Sequence, residues 1–372
     1  MTASAMHDFH LPVPPGLEAA LLAEVRELGL AKARVVPGGV AFSAQWTDAW
    51  RANYLLRGAS RVLVQISSFP CVHLSQLDKT ARKIDWAHWL PKGAACRFVA
   101  HCRKSRLYHA KAVAERVERA ALDAIGGQLN GDTGLRIQIR VLNNICTISL
   151  DTSGELLHRR GFKQAVVKAP MRETMASLLL RACGFRGAEP VYDPMCGSGT
   201  FVIEAAEMAA GLAPGRGRSF AFEQLPSFDA DAWSAIKADR KDRRPDFVFA
   251  GSDRDAGAIT AARANADRAG VVEFVRFSQA DVREARPPDG PAGLVMVNPP
   301  YGARIGNRKA LYPVYHALGE TLRTHFAGWR VGLITSDEAL ARATRLPFQK
   351  PGPVIDHSGI KIRLHRTAAL SG

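Results

Sequence analysis

The sequence predicts an α/β protein in two parts: a doubly wound α/β sheet in the second half, with an α+β region in front of it. Three observations carry this. From about residue 189, short apolar runs alternate with helical stretches, the pattern of a sheet covered by helices. Ahead of that point, strands such as Arg136-Ile137-Gln138-Ile139-Arg140-Val141 alternate polar and apolar residues, as half-buried strands do. The length of 372 residues exceeds one typical domain, and a hydrophobic fraction of 47% suffices for more than one core.

The formal net charge is +15 and the pI near 9.9. Residues 1–170 hold 23 basic and 13 acidic side chains, against 27 and 22 in the remainder. A polyanionic partner is implied, nucleic acid most simply, with the front half as the electrostatic handle. No apolar run reaches the roughly 18 residues of a membrane span. The N-terminus, with His and Asp before Pro15, lacks a secretory pattern, so a cytoplasmic protein is expected. Cys71, Cys96, Cys102, Cys146, Cys183 and Cys196 form no CxxC pair and no zinc spacing. They read as free thiols, and no metal site is expected.

In the first unit, residues 9–70, Leu17, Leu21, Leu22, Val25 and Leu28 repeat at helical spacing. Gly38-Gly39 turn into a short strand at Val40-Ala41-Phe42. A helix is expected from Thr47, as its cap, to Leu56, then a strand over Arg61-Val62-Leu63-Val64-Gln65-Ile66. In the second unit, residues 71–150, Cys96 to Cys102 reads as a strand, Ala110 to Ile125 as a helix, and Cys146 to Leu150 as a hairpin partner across Asn143-Asn144. Arg103, Lys104, Arg106 and Lys111 cluster at the strand-to-helix junction and suit a phosphate backbone. Arg159, Arg160, Lys163, Lys168 and Arg172 continue the basic run, and Pro170 is placed to open a helix reaching Ala182.

In the second half, strands are expected near 190–193, 247–252, 273–278, 294–297 and 330–335. Helices are expected near 199–210, 256–269, 312–326 and 337–344, with a terminal hairpin near 353–366. Residues 211–246 interrupt the alternation with Phe220, Phe222, Phe228, Trp233 and a charged run. They suit an aromatic flap over substrate and, equally, a helical hairpin packed on the sheet.

Between the first strand and helix lies Asp193-Pro194-Met195-Cys196-Gly197-Ser198-Gly199-Thr200. Glycines there let backbone approach a ligand at a helix N-terminus. Val202 occupies the third glycine position of the dinucleotide fingerprint, which disfavours a pyrophosphate. Asp253 ends the second strand, where a carboxylate suits ribose hydroxyls. Asp281 follows the third and could accept from an adenine amino group. Together they describe a pocket for a neutral or cationic adenosine. After the fourth strand comes Asn298-Pro299-Pro300-Tyr301-Gly302. The prolines fix a stiff corner that cannot extend the sheet. It can offer the Asn298 oxygen and the Pro299 carbonyl to the two hydrogens of a planar amine, with Tyr301 stacked on the ring. The same residues alone also suit an ordinary turn with a surface tyrosine.

That order of motifs resembles the class I S-adenosylmethionine-dependent methyltransferases that act on amines. The chain is most similar to the THUMP-containing RNA guanine-N2 methyltransferases. The resemblance rests on Gly16-Leu17-Glu18, Arg103 to His109, Leu157 to Phe162, Ala169 to Thr174, Asp193 to Thr200, and Asn298 to Gly302. It implies a Rossmann-like methyltransferase domain at 173–372 with the insertion 211–246. Ahead of it come a ferredoxin-like domain at 1–70, a THUMP RNA-binding domain at 71–155 and a linker at 156–172. It implies S-adenosylmethionine as cofactor, held by Thr174, Asp193, Pro194, Cys196, Gly197, Ser198, Gly199, Thr200, Asp253, Asp281, Val282 and Asn298. Catalysis falls to Asn298, Pro299, Pro300 and Tyr301. RNA contact falls to Arg103, Lys104, Arg106, Lys111, Arg159, Arg160 and Lys163. The expected product is an N2-methylated guanosine in large-subunit ribosomal RNA. The family also contains transfer RNA enzymes, so that substrate stays open. Other amines served by Asn-Pro-Pro-Tyr stay open too, as does a non-catalytic ribosome-assembly factor. Some ribosomal relatives carry a second, C-terminal methyltransferase. This chain stops after the first, so the second activity is expected to be absent. A monomer is expected.

Overall fold

The computed structural model describes residues 5–30, 32–131, 133–164, 171–239, 242–301, 308–357 and 359–372. It divides into two compact units: Met1–Pro12, Val25–Leu157 and Arg218–Asp239 form the first, and Val13–Glu24, His158–Gly217 and Arg240–Gly372 the second. Among the described residues no helix is long and apolar enough to cross a membrane. All six cysteines are free, and all but Cys102 are buried.

In chain order the front half runs β1 (His7–Pro12), α1 (Glu18–Glu27), β2 (Arg34–Val36), β3 (Gly39–Ala44), α2 (Trp46–Leu55), β4 (Leu63–Pro70), α3 (Leu74–Ala81), α4 (Trp86–Trp89), β5 (Ala95–Arg103), α5 (Ala110–Ile125), β6 (Gln128–Leu129), β7 (Leu135–Leu142) and β8 (Ile145–Asp151). Its strands form one eight-stranded sheet in the order β2-β3-β1-β4-β8-β7-β5-β6. The sequence suggested two separate units here; the ladder runs through both. Along β7, Leu135, Ile137, Ile139 and Val141 point inward in strict alternation. Asn143 and Asn144 take φ of 50° and 62°, the left-handed pair of a tight hairpin turn. Val113, Val117, Ala121 and Ile125 make the buried stripe of α5, which ends on left-handed Gly126.

Two expectations shift. Gln45, not Thr47, precedes α2. The fourth strand begins at Leu63 rather than Arg61: the Val62 N–H donates to the Ser153 hydroxyl at 2.8 Å, and the Arg61 side chain pairs with buried Asp151. Asn53 ties down the chain after Asp151, donating to Thr152 Oγ1 at 2.8 Å and accepting from Ser153 Oγ at 2.6 Å.

The second unit contains α6 (Glu173–Ala182), β9 (Val191–Asp193) and α7 (Thr200–Ala209). The chain then returns to the first unit for α8 (Ala230–Ala238). Here the flap and the hairpin readings of 211–246 are both corrected. Phe222 stacks on Trp50 with centroids 5.7 Å apart, and Trp233 meets Tyr54 edge-on at 5.4 Å. Arg218 donates to the carbonyls of Leu156 and Glu155, each at 2.8 Å. The aromatics are spent on the first unit's core, so no aromatic face is left for a substrate.

The second unit continues with β10 (Phe249–Asp253), α9 (Ala256–Arg268), β11 (Val275–Gln279), β12 (Leu294–Val297), α10 (Leu311–His325), β13 (Arg330–Thr335), α11 (Glu338–Ala343), β14 (Ile355–His357) and β15 (Ile360–Arg366). Its sheet order is β11-β10-β9-β12-β13-β15-β14. The first five are parallel, while β15 runs against β13 and β14 against β15. The order reverses at β9, which has β10 on one side and β12 on the other. In open α/β sheets that point opens a crevice beyond the carboxyl ends of the strands.

Candidate active site

The crevice at the switch point is lined from β9, β10, β11 and β12. Tyr192 pairs with both Ala250 and Val295, so Asp193, Asp253 and Asn298 all leave the sheet at one edge. Asp253 pairs with Gln279, which puts Asp281 on the same edge.

The turn after β9 is held by backbone bonds. Gly197 and Gly199 take φ of 53° and 84°, a region costly for any residue with a Cβ. A Cβ on Gly199 would lie 2.9 Å from Phe277 and 3.1 Å from Ala262. Cys196 donates its N–H to the Ser252 carbonyl at 3.0 Å, and Gly197 donates to Asp253 Oδ2 at 2.9 Å. Asp255 N–H donates to Asp253 Oδ1 at 3.0 Å. Asp253 therefore braces the glycine turn with one oxygen and the start of α9 with the other. Asn265 closes it from behind, donating to the Ser198 carbonyl at 3.2 Å. Nothing in the sequence pointed to Asn265, which sits mid-helix among alanines.

Asp193 is 2% exposed and accepts from Met195 N–H at 3.0 Å. Burial lifts its carboxyl to about 8; the Met195 bond opposes this and the Asp253 charge adds to it. Burial likewise holds the Cys196 thiol well above its ordinary range. Asp281 caps a short 3-10 turn, accepting from Arg283 N–H at 3.1 Å and from the Arg283 guanidinium at 3.0 Å. Val282 packs into the core with Tyr192 and Tyr315. Thr174 is buried on α6. The Thr200 hydroxyl faces Lys163 Nζ at 2.9 Å, and the same ammonium donates to the Met171 carbonyl at 2.6 Å.

At the end of β12, the Asn298 Oδ1 atom is buried with no hydrogen-bond partner among the described residues. An orphaned buried acceptor costs about 1–3 kcal/mol, so such atoms call for an explanation. The corner around it is braced. The Tyr315 hydroxyl donates to the Pro300 carbonyl at 3.2 Å and lies 3.3 Å from Thr335 Oγ1. The Tyr301 hydroxyl sits 3.2 Å from His357 Nδ1, on β14. Neither Tyr315 nor His357 carried a sequence signal, being single residues on a helix and a hairpin. Gly302, Lys168 and Pro170 lie outside the described residues. Among the described residues no three His, Cys, Asp or Glu side chains converge as a metal site.

The basic residues separate into two kinds. Arg103, Lys104, Arg106 and Lys111 are exposed, and Tyr108 beside them is 71% exposed. Their loop is fixed to the β7–β8 turn: Arg106 N–H donates to Asn144 Oδ1 at 2.9 Å, and Asn144 N–H to Ser105 Oγ at 3.0 Å. Arg159 is exposed as well. Arg160 is buried, pairing with Glu204 and, at 3.2 Å, with Glu207. Lys163 is committed to Met171, Thr200 and, at 3.8 Å, Glu173. Burial depresses the Lys163 ammonium, against the pull of Glu173. Both leave the RNA-facing set and act as internal struts, because their carboxylate and carbonyl partners outcompete solvent at those positions.

A reversing sheet of this order with an antiparallel seventh strand, a glycine turn on its first strand, and acidic ends on the next two is the class I methyltransferase fold. Its residues fit an adenosyl ligand: a left-handed glycine turn opens α7 at the crevice edge, and the carboxylates of Asp253 and Asp281 stand at the ends of the next two strands. The chain belongs to the family described as RMKL-like methyltransferase domain, matched over residues 160–350. Residues 8–63 match the RlmL ferredoxin-like domain and 72–151 the THUMP domain. A Ribosomal RNA large subunit methyltransferase K/L from Shewanella sp. (strain MR-7) is 34% identical over 361 residues, covering 93% of this chain and 50% of its own. The chain thus spans about half the length of the curated relatives it matches. Among solved structures, a possible methylase from Clostridium difficile 630 is similar with a TM-score of 0.90 and 28% identity, covering 99% of both chains. A candidate methyltransferase complexed with SAH is similar at 0.87 and 26%, also covering 99% of both.

Proposed function

We propose that this chain transfers the methyl group of S-adenosylmethionine to the exocyclic N2 amine of a guanosine in RNA, most simply large-subunit ribosomal RNA. The observation that carries the reading is the buried Asn298 Oδ1 at the switch-point edge, which has no partner among the described residues. It is an acceptor waiting for a donor, and an aromatic amine brings two. The family of the chain and the printed name of its ribosomal relative support RNA as the substrate.

The bound cofactor supplies an electrophilic methyl group on a sulfonium; the residues of this chain do the rest. The Gly197-Ser198-Gly199 turn would admit the cofactor close to backbone, with Asp253 and Asp281 as the carboxylates that would hold its ribose and adenine. Asn298 Oδ1 and the Pro299 carbonyl take the two amine hydrogens. A guanine N2 lone pair is delocalised into its ring, and two fixed acceptors localise it and aim it along the methyl–sulfur axis. The Tyr301 ring stacks on the base while His357 holds its hydroxyl. Transfer would form the carbon–nitrogen bond and break the sulfur–methyl bond, leaving the cofactor as a neutral thioether; the amine turns acidic in that step, so its proton would pass to solvent without a strong base. A paired guanine hides N2, so the base is taken unpaired or extruded. Arg103, Lys104, Arg106 and Lys111 hold phosphates elsewhere on the RNA.

The test is methyl transfer from labelled S-adenosylmethionine to total RNA of a strain lacking this protein, fractionated by size. Label as N2-methylguanosine in the large-subunit fraction is the expected result. Label in transfer RNA keeps the chemistry and moves the substrate. Label in protein or in methyladenine overturns the assignment.

A further inference from the structure

Beyond the carboxyl end of β13, the second unit opens into a cleft of about 400 Å³, within the range that takes small ligands. Val354 and Ala339 give it an apolar wall, and Arg342, Lys361 and Arg363 give it a cationic rim. Lys361 and Arg363 are two apart on β15 and so share a face. The acidic residues in the cleft are occupied. Asp337 accepts from the N–H groups of Ala339 and Leu340 at 2.9 and 3.4 Å. Glu338 lies 3.6 Å from Arg363, which also donates to the Gly352 carbonyl at 3.2 Å. Lys361 and Arg342 are exposed and have no acidic partner among the described residues.

The cleft shares its walls with the Asn-Pro-Pro-Tyr corner. Thr335 lines it, and its Oγ1 lies 3.3 Å from the Tyr315 hydroxyl that holds the Pro300 carbonyl. In the β14–β15 ladder Lys361 stands opposite Asp356, whose carboxylate accepts from Gly359 N–H at 2.9 Å and which is next to the His357 that holds Tyr301. One hairpin therefore carries both the support for the base-stacking ring and the free cation of the cleft. A nucleotide strand that delivers one base to the corner must lead its neighbour away beside it. Two unpaired cations over an apolar wall match a phosphate and a base.

We propose that this cleft receives the nucleotide adjacent to the methylated one, its phosphate on Lys361 and Arg342 and its base against Val354. The proposal rests on RNA being the substrate. The test uses the full chain, transcribed large-subunit ribosomal RNA, and the double variant Lys361→Ala/Arg342→Ala. Loss of charge-assisted phosphate contacts should raise KM for RNA about tenfold or more. The maximal rate and the cofactor affinity should stay within about twofold, since neither residue touches the corner or the glycine turn. The conservative Lys361→Arg should keep most of the affinity. In parallel, RNA substituted with 4-thiouridine is photo-crosslinked to the wild-type chain, with label expected in peptides covering 336–342 and 354–363. An unchanged KM overturns the proposal. A raised KM with no crosslink in those peptides also overturns it, because it reports only the general field of the surface. If the wild-type chain methylates no RNA, the functional reading itself has failed, and that is seen before any variant is compared.

Discussion

Replacing Asn298 by alanine should move stability and turnover in opposite directions. Asn298 Oδ1 is buried and bonded to nothing among the described residues. An unmade hydrogen bond at a buried acceptor costs about 1–3 kcal/mol, and alanine removes that cost. The truncation also gives up the packing of one small, half-buried side chain, which offsets part of the gain. The net expectation is a stability between unchanged and about 1 kcal/mol higher. Turnover should fall about 10²–10³-fold, the usual loss when one oriented group of a transition-state clamp is removed, or about 2.7–4 kcal/mol. Denaturant unfolding gives the first number, and single-turnover methyl transfer at saturating RNA gives the second. Cofactor affinity by calorimetry should barely move, as the glycine turn is untouched. A variant that unfolds more than about 1 kcal/mol more easily, yet transfers methyl within a few-fold of wild type, would mark Asn298 as structural and sink the mechanism.

Four further expectations can be checked alongside. Gly199→Ala should lose about 1–2 kcal/mol to backbone strain alone, before the clash with Phe277, and cofactor affinity should fall with it in calorimetry. Asp193 binds its proton more tightly folded, at about 8, than unfolded, so its contribution to stability is present at low pH and drains away as pH rises from about 4 to 8. Asp193→Asn keeps the neutral form, so its stability relative to wild type should be greater at pH 8 than at pH 5 in paired denaturation curves. Arg160→Ala should cost about 3–5 kcal/mol, because it takes the guanidinium from Glu204 in the interior and leaves Glu207 with its pair to Arg216 at 2.6 Å. Arg106→Ala should instead leave the melting temperature alone and lower the salt slope of RNA binding by about one.

Legibility followed the range of the interactions. Helix α5 and the β7–β8 hairpin were readable because their signals are local: a four-residue apolar stripe, strict alternation, and two consecutive asparagines that tolerate left-handed backbone. Strand β1 escaped notice because only Phe9 and Leu11 of its six residues face the core, and histidines flank them. It nevertheless lies between β3 and β4. The Asp193-to-Thr200 turn and the Asn298 corner were visible as motifs, since glycine and proline write backbone geometry directly into sequence. The fate of the cations was not visible. Arg159 and Arg160 are neighbours of equal charge, yet one is exposed and the other is buried against carboxylates 44 and 47 positions away. In the same way the aromatics of 211–246 read equally as a flap or as a helical hairpin on the sheet, because nothing local reveals that Trp50 and Tyr54 receive them. Asp253 was read from the sequence as suited to ribose hydroxyls; that its carboxylate pins the glycine turn depends on the backbone path of another strand.

The eight-stranded sheet bears on how such proteins can be cut and recombined in evolution. The ferredoxin-like match ends at residue 63, the first residue of β4, and the THUMP match begins at 72, just beyond its end. That strand is laddered to β1 from one module and to β8 from the other. The seam between two heritable sequence modules is therefore a shared central strand rather than a hinge. Severing the chain there would bare the edge of β8 or of β1 to pairing with foreign strands. The two modules should consequently be gained, lost and refolded as one piece, even though their sequences can be recognised separately.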